Sequence, residues 1–244
     1  MQVILKSFHL CFLTLKNCKF CDIIQIMETK VVIFDFDGTL SSSDGSCSWA
    51  RVWKALDDIE TDKKFYHMFA SGEIDDATWL KLIEERFREL NLRKSLCSSL
   101  ANEIKLIPGI NETFNLLNQN NVKIYILSGG VRNLIEIALA PFEKHITRIE
   151  GYQFVFDGEN FLKIEKANEP FDDKHKYVDQ IKKENDVSGN EILFVGNGAN
   201  DQTVYLTGAR TLCINPDDAD YTNKKYWNNY IKNCKNLTEI IKFL

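Results

Sequence analysis

Three short, mainly apolar runs constrain this chain more than anything else in it. They are VVIF at 31–34, VKIYIL at 122–127 and EILFV at 191–195, and each stops at a polar, glycine-bearing stretch. The first, β-branched or aromatic at every position, suits a strand with both faces covered, the environment of a parallel sheet between helical layers. Helical patterns separate the runs: GINETFNLLNQNN precedes the second and KYVDQIKKEN the third, while RTLCIN at 210–215 reads as a further strand. Strand and helix alternate, so the expected fold is α/β, a Rossmann-like, doubly wound and mostly parallel sheet. In such sheets ligands gather beyond the carboxyl ends of the strands, where all three polar stretches fall.

Two segments break the alternation. Residues 45–106 read as helical, with Trp49, Val52, Trp53 and Leu56, then Trp79, Leu82, Ile83, Phe87 and Leu90, at helical spacing. Asp75 or Asp76 suits the N-cap of the second helix, and the tryptophans read as core anchors. This insertion follows the first strand directly, where a lid over the site would stand. The second break, YQFVFDGENFLKI, places alternating runs about Asp157-Gly158 and signals a hairpin. The expected organisation is a Rossmann-like core of residues 27–43 and 107–244, a helical cap of residues 44–106, and residues 1–26 as an extension outside the fold.

Composition narrows the partners. The chain has 244 residues, 44% hydrophobic and 27% charged, with a net charge of −5 and no basic block. Phosphate-backbone binding needs clustered Lys and Arg, so nucleic acid is not expected. No apolar run reaches the ~20 residues of a membrane span. Lys6, Lys16 and Lys19 interrupt the apolar opening and no small-residue cleavage site follows, which argues against a secretion signal. Met27 begins METKVVIFDFDGTL, a compact entry to the first strand. Seven scattered cysteines suit reduced thiols and a cytoplasmic location. Cys18 and Cys21 have the spacing of half a zinc site, but no second pair follows at ligand spacing, so zinc is not expected. A monomer or homodimer is expected.

The chemistry lies at the strand ends. Asp35 and Asp37 share one side of an extended strand end while Phe36 turns away. Two such carboxylates repel unless one holds a proton or a cation joins them, and hard oxygen ligands favour magnesium. Ser128-Gly129-Gly130, followed by a helical run from Val131, offers a hydroxyl, backbone amides and a helix N-terminus to a phosphate oxygen. Lys174 stands near a helix start, where its charge opposes the helix dipole unless Asp172, Asp173 or a bound phosphate compensates; Lys176 is the second choice. GNGAND at 196–201 sets Asn197, Asn200 and Asp201 on a glycine-relaxed loop, suited to a second arm of a magnesium site.

DFDGTL, ILSGG, a lysine and GNGAND, in that order, resemble the four motifs of the haloacid dehalogenase-like (HAD) hydrolase superfamily, closest to its phosphoserine-phosphatase-like branch with a helical cap. The resemblance spans residues 30 to about 215 and implies a Mg2+-dependent phosphatase for a small-molecule phosphomonoester. It implies that Asp35 is the nucleophile and a metal ligand. Asp37 would be the general acid and base, with its carbonyl on the metal. Ser128, Gly129 and Asn200 would bind substrate, Lys174 would offset charge, Asp201 would hold Lys174, and Asn197 would be a metal ligand.

Two departures from the pattern stand out. The fourth motif usually begins Gly-Asp, whereas Gly196-Asn197 has lost a negative charge, so weaker metal binding is expected. For phosphoserine, Asp44 fits the acidic residue that reads the amino group. The position of the arginine that reads the carboxylate is held by Ile83, with Arg86 further along the same face as a substitute. Two alternatives stay open: a catalytically impaired phosphate-binding protein, motivated by Asn197, and a phosphotransferase or mutase using the same intermediate.

Overall fold

β1 (Val31–Phe34) lies at the centre of a seven-stranded sheet, completely buried between β2 (Lys123–Val131) and β5 (Ile192–Gly196), and parallel to both. The structure is a computed structural model that describes residues 29–41, 47–165, 173–216 and 225–244. The remaining strands are β3 (Ile146–Asp157), β4 (Asn160–Glu165), β6 (Arg210–Ile214) and β7 (Asn229–Ile231). The order is β4-β3-β2-β1-β5-β6-β7, parallel throughout except for β4 against β3. The chain therefore winds outward from β1 in one direction and returns to its other side. The carboxyl end of β1 is the switch point at which such sheets open a crevice for ligands.

Helices cover both faces: α1 (Ser48–Ala55), α2 (Ile59–Ala70), α3 (Asp76–Glu89), α4 (Lys94–Asn102), α5 (Ile110–Gln119), α6 (Arg132–Leu139) and α7 (Lys174–Asn185). Val32, Phe34 and Phe36 pack with Phe114 and Leu117 of α5 and with Leu237 and Ile240 of a carboxyl-terminal 3-10 helix. Val31 and Ile33 face the opposite way, into a cluster shared by Tyr177, Val178 and Ile181 of α7 and by the helical insertion. The uninterrupted burial of VVIF thus reflects two apolar layers, as its composition requires.

The insertion is pinched at its base. Ser41 and Leu106 form an antiparallel bridge, and the Ile107 amide donates to the Leu40 carbonyl at 2.8 Å. As its spacing predicts, α1 buries Trp49, Val52 and Trp53, and α3 buries Trp79, Ile83 and Phe87. Asp75 is the N-cap of α3, accepting from the Thr78 amide at 2.8 Å. The β3–β4 hairpin docks onto these helices. The Lys94 amide donates to the Glu159 carbonyl at 3.0 Å, and Phe161 donates to Leu92 at 3.2 Å. Phe87 meets Trp53, Phe154 and Phe161 at ring separations of 4.5, 5.6 and 5.6 Å. Truncating such a buried ring to alanine typically costs about 3–5 kcal/mol.

One boundary differs from the sequence reading. β2 does not stop at Leu127; it runs through Ser128-Gly129-Gly130 to Val131, and α6 begins at Arg132. The pairing with β3 breaks register between Leu127 and Val131, so the two glycines form an irregularity within a continuing strand rather than a loop. The expectations for residues 1–26 and for Cys18 and Cys21 lie outside the described residues. The four described cysteines, Cys47, Cys97, Cys213 and Cys234, are free of disulfides.

Candidate active site

The strand ends deliver the site. The Asp35 amide still donates to the Val195 carbonyl of β5 at 2.9 Å, so its side chain is aimed by the sheet itself. Lys174, in the first turn of α7, is fully buried. Its ammonium donates to Asp35 Oδ1 at 2.8 Å and to Asp201 Oδ1 at 2.5 Å, and lies 5.9 Å from the centre of the Phe194 ring. The other oxygen of Asp201 accepts the amides of Asn197 and Gly198 at 2.9 and 3.0 Å. Asp201 therefore ties the lysine to the fourth motif, as the resemblance implied. Lys176, the second choice, is exposed and paired with Asp173 at 2.9 Å.

Burial sets the electrostatics. Burial and the Asp201 charge outweigh the pull of Lys174 and together hold the Asp35 carboxyl up at about 7. Burial raises Asp37 too, opposed by hydrogen bonds from Ser48 and then by the Arg51 charge. Burial alone would push the Lys174 ammonium down, but the Asp201 and Asp35 charges outweigh it and hold the lysine above its ordinary value. Two carboxylates, Asp35 and Asp201, thus share one ammonium, with Asp37 close by. Such an unbalanced buried cluster is costly unless a further cation joins it.

The residues present fit a hard dication. Asp35 offers a carboxylate, Asp37 a backbone carbonyl and Asn197 an amide oxygen, an all-oxygen set. Asn197 is buried beside the first motif, and its Oδ1 accepts from Thr39 Oγ1 at 3.2 Å. Gly38 makes this approach possible: its φ is +78°, and a Cβ there would fall 2.3 Å from the Asn197 amide nitrogen. Among the described residues no three His, Cys, Asp or Glu side chains are grouped to hold a metal ion, so a cation here depends on Asn197 and backbone oxygen.

The second motif meets the first at Gly130. A Cβ on Gly130 would fall 2.4 Å from Ser48 Oγ, 2.5 Å from Asp37 Oδ2 and 3.1 Å from Ser128 Oγ. Ser128 is buried and its hydroxyl accepts from the Gly130 amide at 3.1 Å, while Gly129 remains partly exposed. Trp49 donates its indole N–H to the Gly129 carbonyl at 2.9 Å. Ser48, Trp49 and Thr39 escaped the sequence reading. Ser48 looks like an ordinary helix-start serine, and only the fold shows what it faces.

Two expected residues make no hydrogen bond to the cluster, and a third is not described. The Arg86 guanidinium donates to Asp58 at 2.7 Å and to Glu89 at 2.9 Å, and it makes no hydrogen bond to Asp35, Asp37, Ser128 or Lys174. The face of α3 that carries it meets the start of α2 rather than the strand ends. Asn200 is exposed and makes no hydrogen bond to Asp35, Asp37, Ser128 or Lys174. Asp44 lies outside the described residues.

A Rossmann-like sheet with a carboxylate pair at its switch point, a buried lysine and a helical insertion after the first strand is an arrangement suited to a hydrolase. The chain belongs to the haloacid dehalogenase-like hydrolase family, which it matches over residues 29–202. It is 24% identical over 185 residues to a phosphoserine phosphatase of Archaeoglobus fulgidus, covering 72% of this chain and 49% of the relative. It is 26% identical over 123 residues to a 2-hydroxy-3-keto-5-methylthiopentenyl-1-phosphate phosphatase of Brevibacillus brevis, covering 48% and 51%. The chain thus spans about half the length of these curated relatives. A substrate-bound phosphoserine phosphatase structure superposes with a TM-score of 0.68 at 18% identity, covering 88% of this chain and 98% of the other, a likeness of fold.

Proposed function

We propose that this protein is a Mg2+-dependent phosphatase that hydrolyses a small phosphomonoester through an aspartyl-phosphate on Asp35. The observation that carries the reading is the buried Asp35–Lys174–Asp201 triad at the switch point of the sheet. A buried lysine gripped by two carboxylates is an expensive arrangement for stability alone. It is an effective one for steadying a nucleophile against an anionic substrate.

In this reading the free oxygen of Asp35 attacks phosphorus, and the ester P–O bond breaks as the Asp35–phosphorus bond forms. Asp37 gives its proton to the departing alcohol and later takes one from the attacking water. The Ser128 hydroxyl and the Gly129 amide hold phosphoryl oxygens, and Lys174 keeps Asp35 aimed. Asp35, the Asp37 carbonyl and Asn197 would hold the magnesium ion, which when bound supplies positive charge against the phosphoryl group.

The helical insertion acts as the cap. Asp35 is 4% exposed and Ser48 wholly buried, so the first turn of α1 covers the carboxylates in this conformation. Substrate entry requires that turn to lift, and closure then excludes water and bulky esters such as phosphoproteins. With Arg86 spent on Asp58, the carboxylate-reading arginine of a phosphoserine site has no occupant among the residues first considered. Phosphoserine accordingly ranks with other small alkyl phosphates. Asn197 favours a second reading, a phosphate binder with little turnover.

A phosphate-release screen with Mg2+ separates the two readings. The panel is phosphoserine, phosphoethanolamine, phosphocholine and sugar phosphates, with wild type compared against Asp35→Asn. The phosphatase reading expects at least one ester to be hydrolysed by wild type, with a loss of roughly a thousandfold or more in the variant. Tight phosphate binding without release of product from any ester supports the binder.

A further inference from the structure

Ser48, which lies outside the four motifs, hydrogen-bonds directly to one of the catalytic carboxylates. Its amide donates to Asp37 Oδ1 at 3.0 Å and its hydroxyl to Asp37 Oδ2 at 2.7 Å. The same hydroxyl oxygen accepts the Val131 amide at 2.9 Å. A serine hydroxyl has one proton and two lone pairs. With Val131 occupying a lone pair, the geometry leaves that proton directed at Asp37.

From this arrangement we infer that Ser48 is a positioning residue that holds the Asp37 carboxyl in register for proton transfer to the leaving alcohol. The inference rests on the phosphatase reading given above. Two donors on the two oxygens of one carboxyl fix its plane as well as its position, as a bidentate pair does. Each oxygen keeps a second lone-pair site, so the proton that passes to the substrate still has a place on Asp37. The fit leaves no slack: Gly130 lacks the Cβ that would fall 2.4 Å from the Ser48 hydroxyl and 2.5 Å from Asp37 Oδ2.

Ser48 is also the first residue of the helix that covers the site, and Trp49 beside it donates to the Gly129 carbonyl. Orientation of the acid is therefore available only when α1 is seated. The insertion completes the catalytic constellation as it closes, coupling proton donation to the exclusion of water.

The test exploits the leaving group. In the first chemical step the bond from Asp35 to phosphorus forms, the ester P–O bond breaks, and the proton of Asp37 ends on the departing oxygen. A p-nitrophenolate departs without that proton; an alkoxide does not. The value of kcat/KM reports this step and not the later hydrolysis of the intermediate. Ser48→Ala should therefore lower kcat/KM for the best alkyl phosphate of the screen by roughly tenfold or more, the lower part of what a positioned acid supplies. It should leave kcat/KM for p-nitrophenyl phosphate nearly unchanged. Equal losses on both esters, or no loss on either, would overturn the assignment while leaving the phosphatase reading intact. Wild-type protein that hydrolyses neither ester would defeat that reading, and the role of Ser48 with it.

Discussion

The strands β1 and β5 carry a lysine–carboxylate pair at each of their two ends, and the pairs differ in almost everything except distance. At the amino end Lys30 meets Glu191 at 2.6 Å, with the two side chains 57% and 27% exposed. At the carboxyl end Lys174 meets Asp35 at 2.8 Å and Asp201 at 2.5 Å, with none of the lysine in contact with solvent. Water screens the first pair, so little stability depends on it. The second is fully committed: each partner was desolvated to form it, and each becomes a liability if the others are removed. Separation alone says nothing about what an ion pair does. Burial decides, and it places the costly pair where the chemistry is.

Removing each lysine or its partner tests that contrast. The largest effect is expected from Lys174→Met, which strands two buried carboxylates. Stability measured by urea unfolding should fall by about 3–5 kcal/mol, and phosphatase activity by roughly 10²–10³-fold. A milder change is expected when charge is rebalanced. Lys174→Met combined with Asp201→Asn should recover part of the lost stability and none of the activity. Recovery of both would mean that the triad serves folding only. The smallest effect is expected at the exposed end. Hydrogen bonds from Lys30 and from the Ser188 amide and hydroxyl lower the Glu191 carboxyl to about 2, against 4.5 for an unperturbed glutamate. Its stabilising contribution is complete above pH 4.5 and disappears as the pH falls through 2. Glu191→Gln should thus melt slightly below wild type at pH 7, and the gap should close across that acidic window.

Much of the fold is legible in the chain because the period of the pattern changes where the element does. VVIF, IYIL and ILFV are uniformly apolar since each is covered on both faces, and α1 and α3 show their buried tryptophans at helical spacing. The polar stretches at the strand ends are equally visible, which is why Asp35, Asp37, Ser128, Lys174 and Asp201 could be named and why the structure brings them together. What the sequence concealed is set by distant partners. Arg86 shares a helical face with Ile83, but periodicity does not say which neighbour that face will meet; it meets Asp58. The two glycines after Ser128 look like a strand end, yet β3 continues beside them and keeps the strand going. Ser48 lies 11 residues beyond Asp37 and only the folding of the insertion brings it back to that carboxylate. The docking of the hairpin on α3 and α4 rests on Glu159, Phe161 and Leu92, whose contacts span some 65 residues and leave no local mark.

The account turns on covalent chemistry at one side chain. Rapid acid quench of wild type during turnover of a 32P-labelled ester, followed by peptide mapping, tests it most directly. Acid-stable, hydroxylamine-labile label on the peptide carrying Asp35, absent from Asp35→Asn, is the predicted result. Steady phosphate release with no label on that peptide, or with label unaffected by the substitution, would contradict it.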